Sequence, residues 1–142
     1  MRLQFPHERV LAVVAHPDDA ELLCAGTLAR AKADGAEIGV CVLCQGDKGS
    51  PAQLTGDLVL KRRRESEAAA KLLGATLFPG EIPDAMLLET EETRSRMVEV
   101  LRRFRPTLVL AHWKDDYHPD HQVASRLAEA TTWLSASRGF MT

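Results

Sequence analysis

The chain has 142 residues, 45% of them hydrophobic and 27% charged, and carries a net charge of −2. That length suits one domain with its own hydrophobic core. Near-neutral charge excludes a basic nucleic-acid surface or an anionic-membrane surface and leaves a small molecule as the expected partner.

No apolar run approaches the roughly 20 residues that span a bilayer, and the opening MRLQFPHERV lacks the apolar core of a signal peptide. A cytoplasmic protein without a membrane span is expected. Three cysteines, Cys24, Cys41 and Cys44, are too few for a disulfide framework. Cys41 and Cys44 lie three apart on an apolar run, where strand alternation sends them to opposite faces, so they read as core thiols rather than a metal pair.

The first element, VLAVVA from Val10 to Ala15, is the continuous aliphatic run of a strand buried on both faces. A helix-like stripe follows from Ala20 to Ala33, ended by Asp34 and Gly35, and Ile38 to Leu43 repeats the buried-strand signature. This is a parallel strand–helix–strand opening. The segment CQGDKGSPAQLTGD reads as a long loop. Val59 to Leu73 predicts a helix with the basic start KRRR, Ala75 to Phe78 a short third strand, and PGEIPDAMLL an irregular stretch. Glu91 to Phe104 is an amphipathic helix, Thr107 to Ala111 a fourth buried strand, and about Pro119 to Ser135 a last helix. The alternation specifies a three-layer αβα Rossmann-like sandwich with a mostly parallel sheet, as one domain over 1–142.

Two apolar strands each lead to an HPD triplet at a helix start, and in such sheets ligands sit beyond the carboxyl ends of the strands, where strand order reverses. If the first and fourth strands are neighbours there, both triplets face one crevice. His16 and Asp19, three apart around Pro17, fall on one side of a helical turn, whereas Asp18 projects elsewhere. With His121 they make a two-histidine, one-carboxylate set, which suits a zinc ion with an open position and suits Fe²⁺ equally by ligand type. Asp18 is then the candidate general base, His118 the group that stabilises an oxyanion or protonates a leaving group, and Asp120 the residue that fixes the His118 tautomer and keeps it charged. His112 and His7 lack such company and read as surface or packing residues.

The ordered pair AHPDDAE and HPDH, with CAGTL at Cys24 to Leu28 and Arg62, Glu65 and AAKLLG, strongly resembles the LmbE-like/PIG-L family of zinc-dependent N-acetylglucosamine deacetylases. The resemblance implies a Rossmann-like fold, zinc on His16, Asp19 and His121, Asp18 as base, His118 with Asp120 behind it, and Arg62 gripping the substrate. A first-turn arginine opposes the helix macrodipole, which would agree with such a role for Arg62. Asp84 in IPDAML resembles the family's PDG turn, but Ala85 stands for the glycine and Asp84 is left out of the site. Relatives run well past two hundred residues, so the chain is expected to be a minimal or truncated member lacking the family's C-terminal elements, and a homo-oligomer could complete the pocket. The implied activity is removal of the N-acetyl group from a GlcNAc-containing small molecule or glycoconjugate. The alternative is a non-catalytic, metal-bearing sugar-binding or assembly subunit.

Overall fold

A computed structural model describes residues 4–49 and 55–142, with side chains over 4–49 and 57–142. Part of the long loop after the second strand therefore lies outside the described residues. Strand β1, Arg9–Val14, leads through a π-helical segment, Ala20–Cys24, into α1, Ala25–Ala33. Then come β2, Glu37–Cys44; α2, Thr55–Leu73; β3, Thr76–Ile82; α3, Glu91–Phe104; β4, Leu108–Ala111; and α4, Pro119–Ala136. The strands form one sheet in the order β3-β2-β1-β4, every neighbouring pair parallel.

The sheet is the middle of three layers. Leu11, Val13 and Ala15 pack with Met97, Leu101 and Phe104 of α3 and with Val123, Ala124 and Leu127 of α4. On the opposite face Val10, Ala12 and Val14 meet Leu28 and Ala31 of α1, with Leu73 at the end of α2. Because β1 is covered on both sides, every residue from Val10 to its end is apolar and buried. α3 starts at a capping box between Thr90 and Thr93 and stops at Arg105, whose φ of 55° no helix continues.

Three expectations change. The residues from Ala20 do not form one uniform helix: the first turn after the HPD triplet is wound wide, a feature frequent at functional sites. The third strand runs on through Pro79 and Gly80 to Ile82, which a sheet edge permits because a proline there breaks no ladder on its open side. Gly80 allows the extension, since a Cβ on it would lie 2.0 Å from the Leu43 carbonyl oxygen. The register shift between Val42 and Cys44 breaks strict alternation, and Cys41 and Cys44 both enter the α3–α4 core instead of opposite faces. Burial pushes the Cys41 thiol up to about 12, as expected of a core thiol.

The chain leaves β1 towards β2 on one side and later returns as β4 on the other. The carboxyl ends of β1 and β4 therefore flank the point where strand order reverses, and each ends on its own HPD triplet.

Candidate metal centre

β1 delivers His16 two residues beyond its last strand residue, where Pro17 to Asp19 turn tightly over the His16 carbonyl, which accepts the Asp18 and Asp19 N–H groups. The turn aims Asp19 back: its Oδ2 accepts the His16 main-chain N–H at 2.7 Å and lies 3.5 Å from His16 Nδ1. Across the crevice, α4 begins at Pro119, and His121 Nε2 comes within 3.4 Å of the same Asp19 oxygen. Asp19 thus stands between His16 and His121, more than a hundred residues apart in part, and the sets whose donor atoms all lie within 4.8 Å of one another include His16 with His118 and His121, and Asp19 with His112 and His121. His118 belongs to the same group, its ring 4.7 Å from those of His16 and His121.

Asp19 is buried, while Asp18 is about half exposed and faces the crevice. The Asp18 carboxylate receives Arg62 at 2.5 Å, and Arg62 also donates to the Pro17 carbonyl and to Glu65. Arg62 thereby fastens α2 to the HPD turn. Its macrodipole rationale fails, however: α2 begins at Thr55, so Arg62 is two turns inside the helix and the end charges are distant. Of KRRR, Arg62 alone turns inward.

Asp120 does not stand behind His118 as expected. Its buried carboxylate accepts the Ala85 N–H at 2.7 Å and meets His16 Nε2 at 3.0 Å. The main-chain N–H of Asp120, by contrast, donates to His118 Nδ1 at 3.1 Å, making His118 the N-cap of α4. A ring whose Nδ1 accepts carries its hydrogen on Nε2, so the main chain of Asp120, and not its carboxylate, orients the His118 ring.

Two residues outside the expected set, His112 and Asp116, join the centre. His112, at the end of β4, is buried, stacks on His121 with ring centroids 3.8 Å apart, and accepts the Ala15 N–H on Nε2 at 3.0 Å. Asp116 lies 3.2 Å from His121 Nδ1 and accepts the His118 N–H, which holds its carboxyl below the usual range. Their only sequence signal was position in the HWKDDYHPDH loop. Asp84 is also built in: it accepts the Gly46 and Lys48 N–H groups at 2.8 and 3.0 Å and ties the loop after β2 to the turn before α3. Trp113 and Trp133 are both exposed.

The electrostatics suit a cation. Burial is the largest influence on His16 and works against its charge, but hydrogen bonds to Asp19 and Asp120 outweigh it and raise the imidazole to about 9. Burial likewise opposes charge on Asp19, yet the His16 ring, the His16 N–H and the nearby His121 hold its carboxyl below the ordinary range. His121 Nδ1 is buried and, although near Asp116, is out of line for a hydrogen bond. His112 Nε2, having accepted from Ala15, has no hydrogen for Asp19 Oδ2 at 3.3 Å. Imidazole nitrogens crowded against a buried carboxylate oxygen are a zinc-type donor set, and a divalent ion would take the place of the proton that His16 shares with Asp19 and Asp120.

Fold and site together define a parallel α/β protein carrying a histidine–aspartate centre at its topological switch point. The family model described as PIG-L, GlcNAc-PI de-N-acetylase, matches residues 11–132, and the chain belongs to that family. It is 32% identical to 4-oxalmesaconate hydratase of Pseudomonas putida over 95% of this chain and 55% of that protein. To diacetylchitobiose deacetylase of Thermococcus kodakarensis it is 31% identical over 84% of this chain and 47% of that one. The solved N,N'-diacetylchitobiose deacetylase from Pyrococcus horikoshii superposes with a TM-score of 0.88 at 28% identity, over 99% of this chain and 56% of that chain. The chain spans about half the length of the curated relatives it matches.

Proposed function

We propose that the protein is a zinc-dependent hydrolase that removes the acetyl group from an N-acetylated amino sugar. The observation that carries this reading is the convergence of His16, Asp19 and His121 beside a half-exposed Asp18 in one crevice. The names of the deacetylase relatives agree with it.

His16, Asp19 and His121 would hold the ion, whose contribution when bound is Lewis acidity and water made acidic enough to react near neutral pH. Asp18, steadied by Arg62, takes the proton of the attacking water as its oxygen adds to the acetyl carbon. His118, with its hydrogen on Nε2, donates to the oxygen of that carbonyl as negative charge grows there. When the C–N bond breaks, the proton on Asp18 passes to the leaving amine, so acetate and a free amine result. Arg62 serves first to place Asp18, and through it to shape the substrate wall.

The hydratase relative favours a second reading, addition of water to a carbon–carbon double bond, in which Asp18 would again take the proton of the water. Metal analysis combined with two assays separates them. Acetate release from N-acetylglucosamine or its glycosides supports the deacetylase. Zinc-loaded protein that hydrates an unsaturated dicarboxylate and releases no acetate would overturn it. Zinc retained with neither reaction would favour a sugar-binding or assembly subunit.

A further inference from the structure

We infer that His112 is a positioning residue of the metal centre, joining the ends of β1 and β4 so that their two ligand groups meet. The inference rests on the zinc reading above and concerns a residue that neither HPD triplet contains.

Nearly all of its side chain is out of solvent, at 1% exposed. A buried histidine is ordinarily a packing residue, but three observations give this one a direction. Its Nε2 accepts the Ala15 N–H, the last main-chain donor before His16, across 97 residues of sequence. Its ring lies parallel to that of His121, 12° from coplanar at 3.8 Å. Its Nε2 also stands 3.3 Å from Asp19 Oδ2, the oxygen that faces both His16 and His121. One imidazole therefore touches each group of the set: the backbone that carries His16, the ring of His121 and the carboxylate of Asp19.

Chemistry decides between a ligand and a positioning role. An imidazole nitrogen has one lone pair, and that of Nε2 is directed at the Ala15 N–H. Were it turned to a cation, the Ala15 donor would be buried without an acceptor, since Ala15 is fully enclosed. His112 thus fixes the ligands without joining them, as partners behind metal ligands do elsewhere, with typical effects of about 10–100-fold on metal affinity.

Two variants divide its contacts. His112→Phe keeps a flat ring against His121 and loses the acceptor; His112→Gln keeps an acceptor for Ala15 and loses the ring. Each is expected to weaken zinc binding by about 10–100-fold in chelator competition, and to move the visible absorption bands of the cobalt-substituted protein. Native zinc affinity with an unmoved cobalt spectrum in either folded variant overturns the role. Nitrogen NMR of the histidine rings in the cadmium-loaded native chain needs no substitution: spin coupling to the metal is expected at His121 and not at His112. Coupling at His112 would make it a ligand and overturn the proposal. Native protein that takes up no divalent ion would overturn the metal reading itself, a result distinct from a variant that binds normally.

Discussion

At the scale of single residues, the adjacent aspartates divide by environment rather than by chemistry. Asp19 is enclosed by histidines, whereas Asp18 looks into the crevice and is held by one arginine. Asp18→Asn is therefore expected to lower kcat by about a hundred- to ten-thousand-fold while zinc content, read by elemental analysis, stays near native. Zinc lost from Asp18→Asn but kept in Asp19→Asn would reverse the two assignments. His16 supplies a pH dependence. Its imidazole is raised to about 9 from an ordinary 6.5, so in the metal-free protein its proton contributes stability that is whole below 6.5 and lost as pH rises through 9. An entering cation must displace that proton. Zinc affinity for the metal-free chain is expected to climb with pH, by up to about tenfold per unit, and to level off near 9. Calorimetry in buffers of different ionisation enthalpy would show close to one proton released from this ring at neutral pH.

At the scale of elements, the turns past the strands do the positioning, and each is fastened to another. Asp84 gathers two N–H groups of the loop after β2, while the next residue, Ala85, gives its N–H to Asp120 and thereby supports His16. Ala85 sits at a φ of 64°, the conformation for which glycine would be the easy choice. Asp84→Ala strands the Gly46 and Lys48 donors and is expected to cost about 1–3 kcal/mol, seen as a lower Tm with faster hydrogen exchange at those amides. At the edge of the sheet, Gly80→Ala is the sharper test. The new methyl would fall on the Leu43 carbonyl, a backbone atom that cannot swing aside, so about 3 kcal/mol of destabilisation is expected in denaturant unfolding. Native stability in that variant would show that β3 does not run beside β2 in this register.

At the scale of the molecule, the centre is made by strand order. The parallel pairing of β1 with β4 sets Val13 opposite Ala111, and from those ends each chain needs only a few residues to reach the crevice. Binding of an ion there links two elements that are distant in sequence, so metal should stabilise the whole fold. With free zinc at a hundred times Kd, the linkage amounts to about 2.7 kcal/mol, or roughly 10 °C in Tm for a chain of this size. Chelation that leaves Tm unchanged would mean that the folded chain binds the ion no more tightly than the unfolded chain does. Among the described residues no helix is long and apolar enough to cross a membrane.

Local rules carried the reading of the elements because apolar runs, caps and glycine stops act within a few residues. They set β1, β2, α3 and the start of α4 close to where they stand, and the spacing in HPDD and HPDH set which side chains share a turn. The rest depended on contacts that no window of sequence contains. β3 ran longer than expected because an edge position tolerates Pro79, and α2 reached back to Thr55, which removed the end-charge argument for Arg62. Asp120 turned to His16 rather than to His118 because α4 met the turn at Ala85. His112 became a buried link because β4 lies beside β1. Sequence alone determined the donor types and their local geometry, since those follow from side-chain chemistry and helix periodicity. Only the tertiary structure decided which groups meet, because hydrogen bonds across 97 residues depend on how strands are ordered in the sheet.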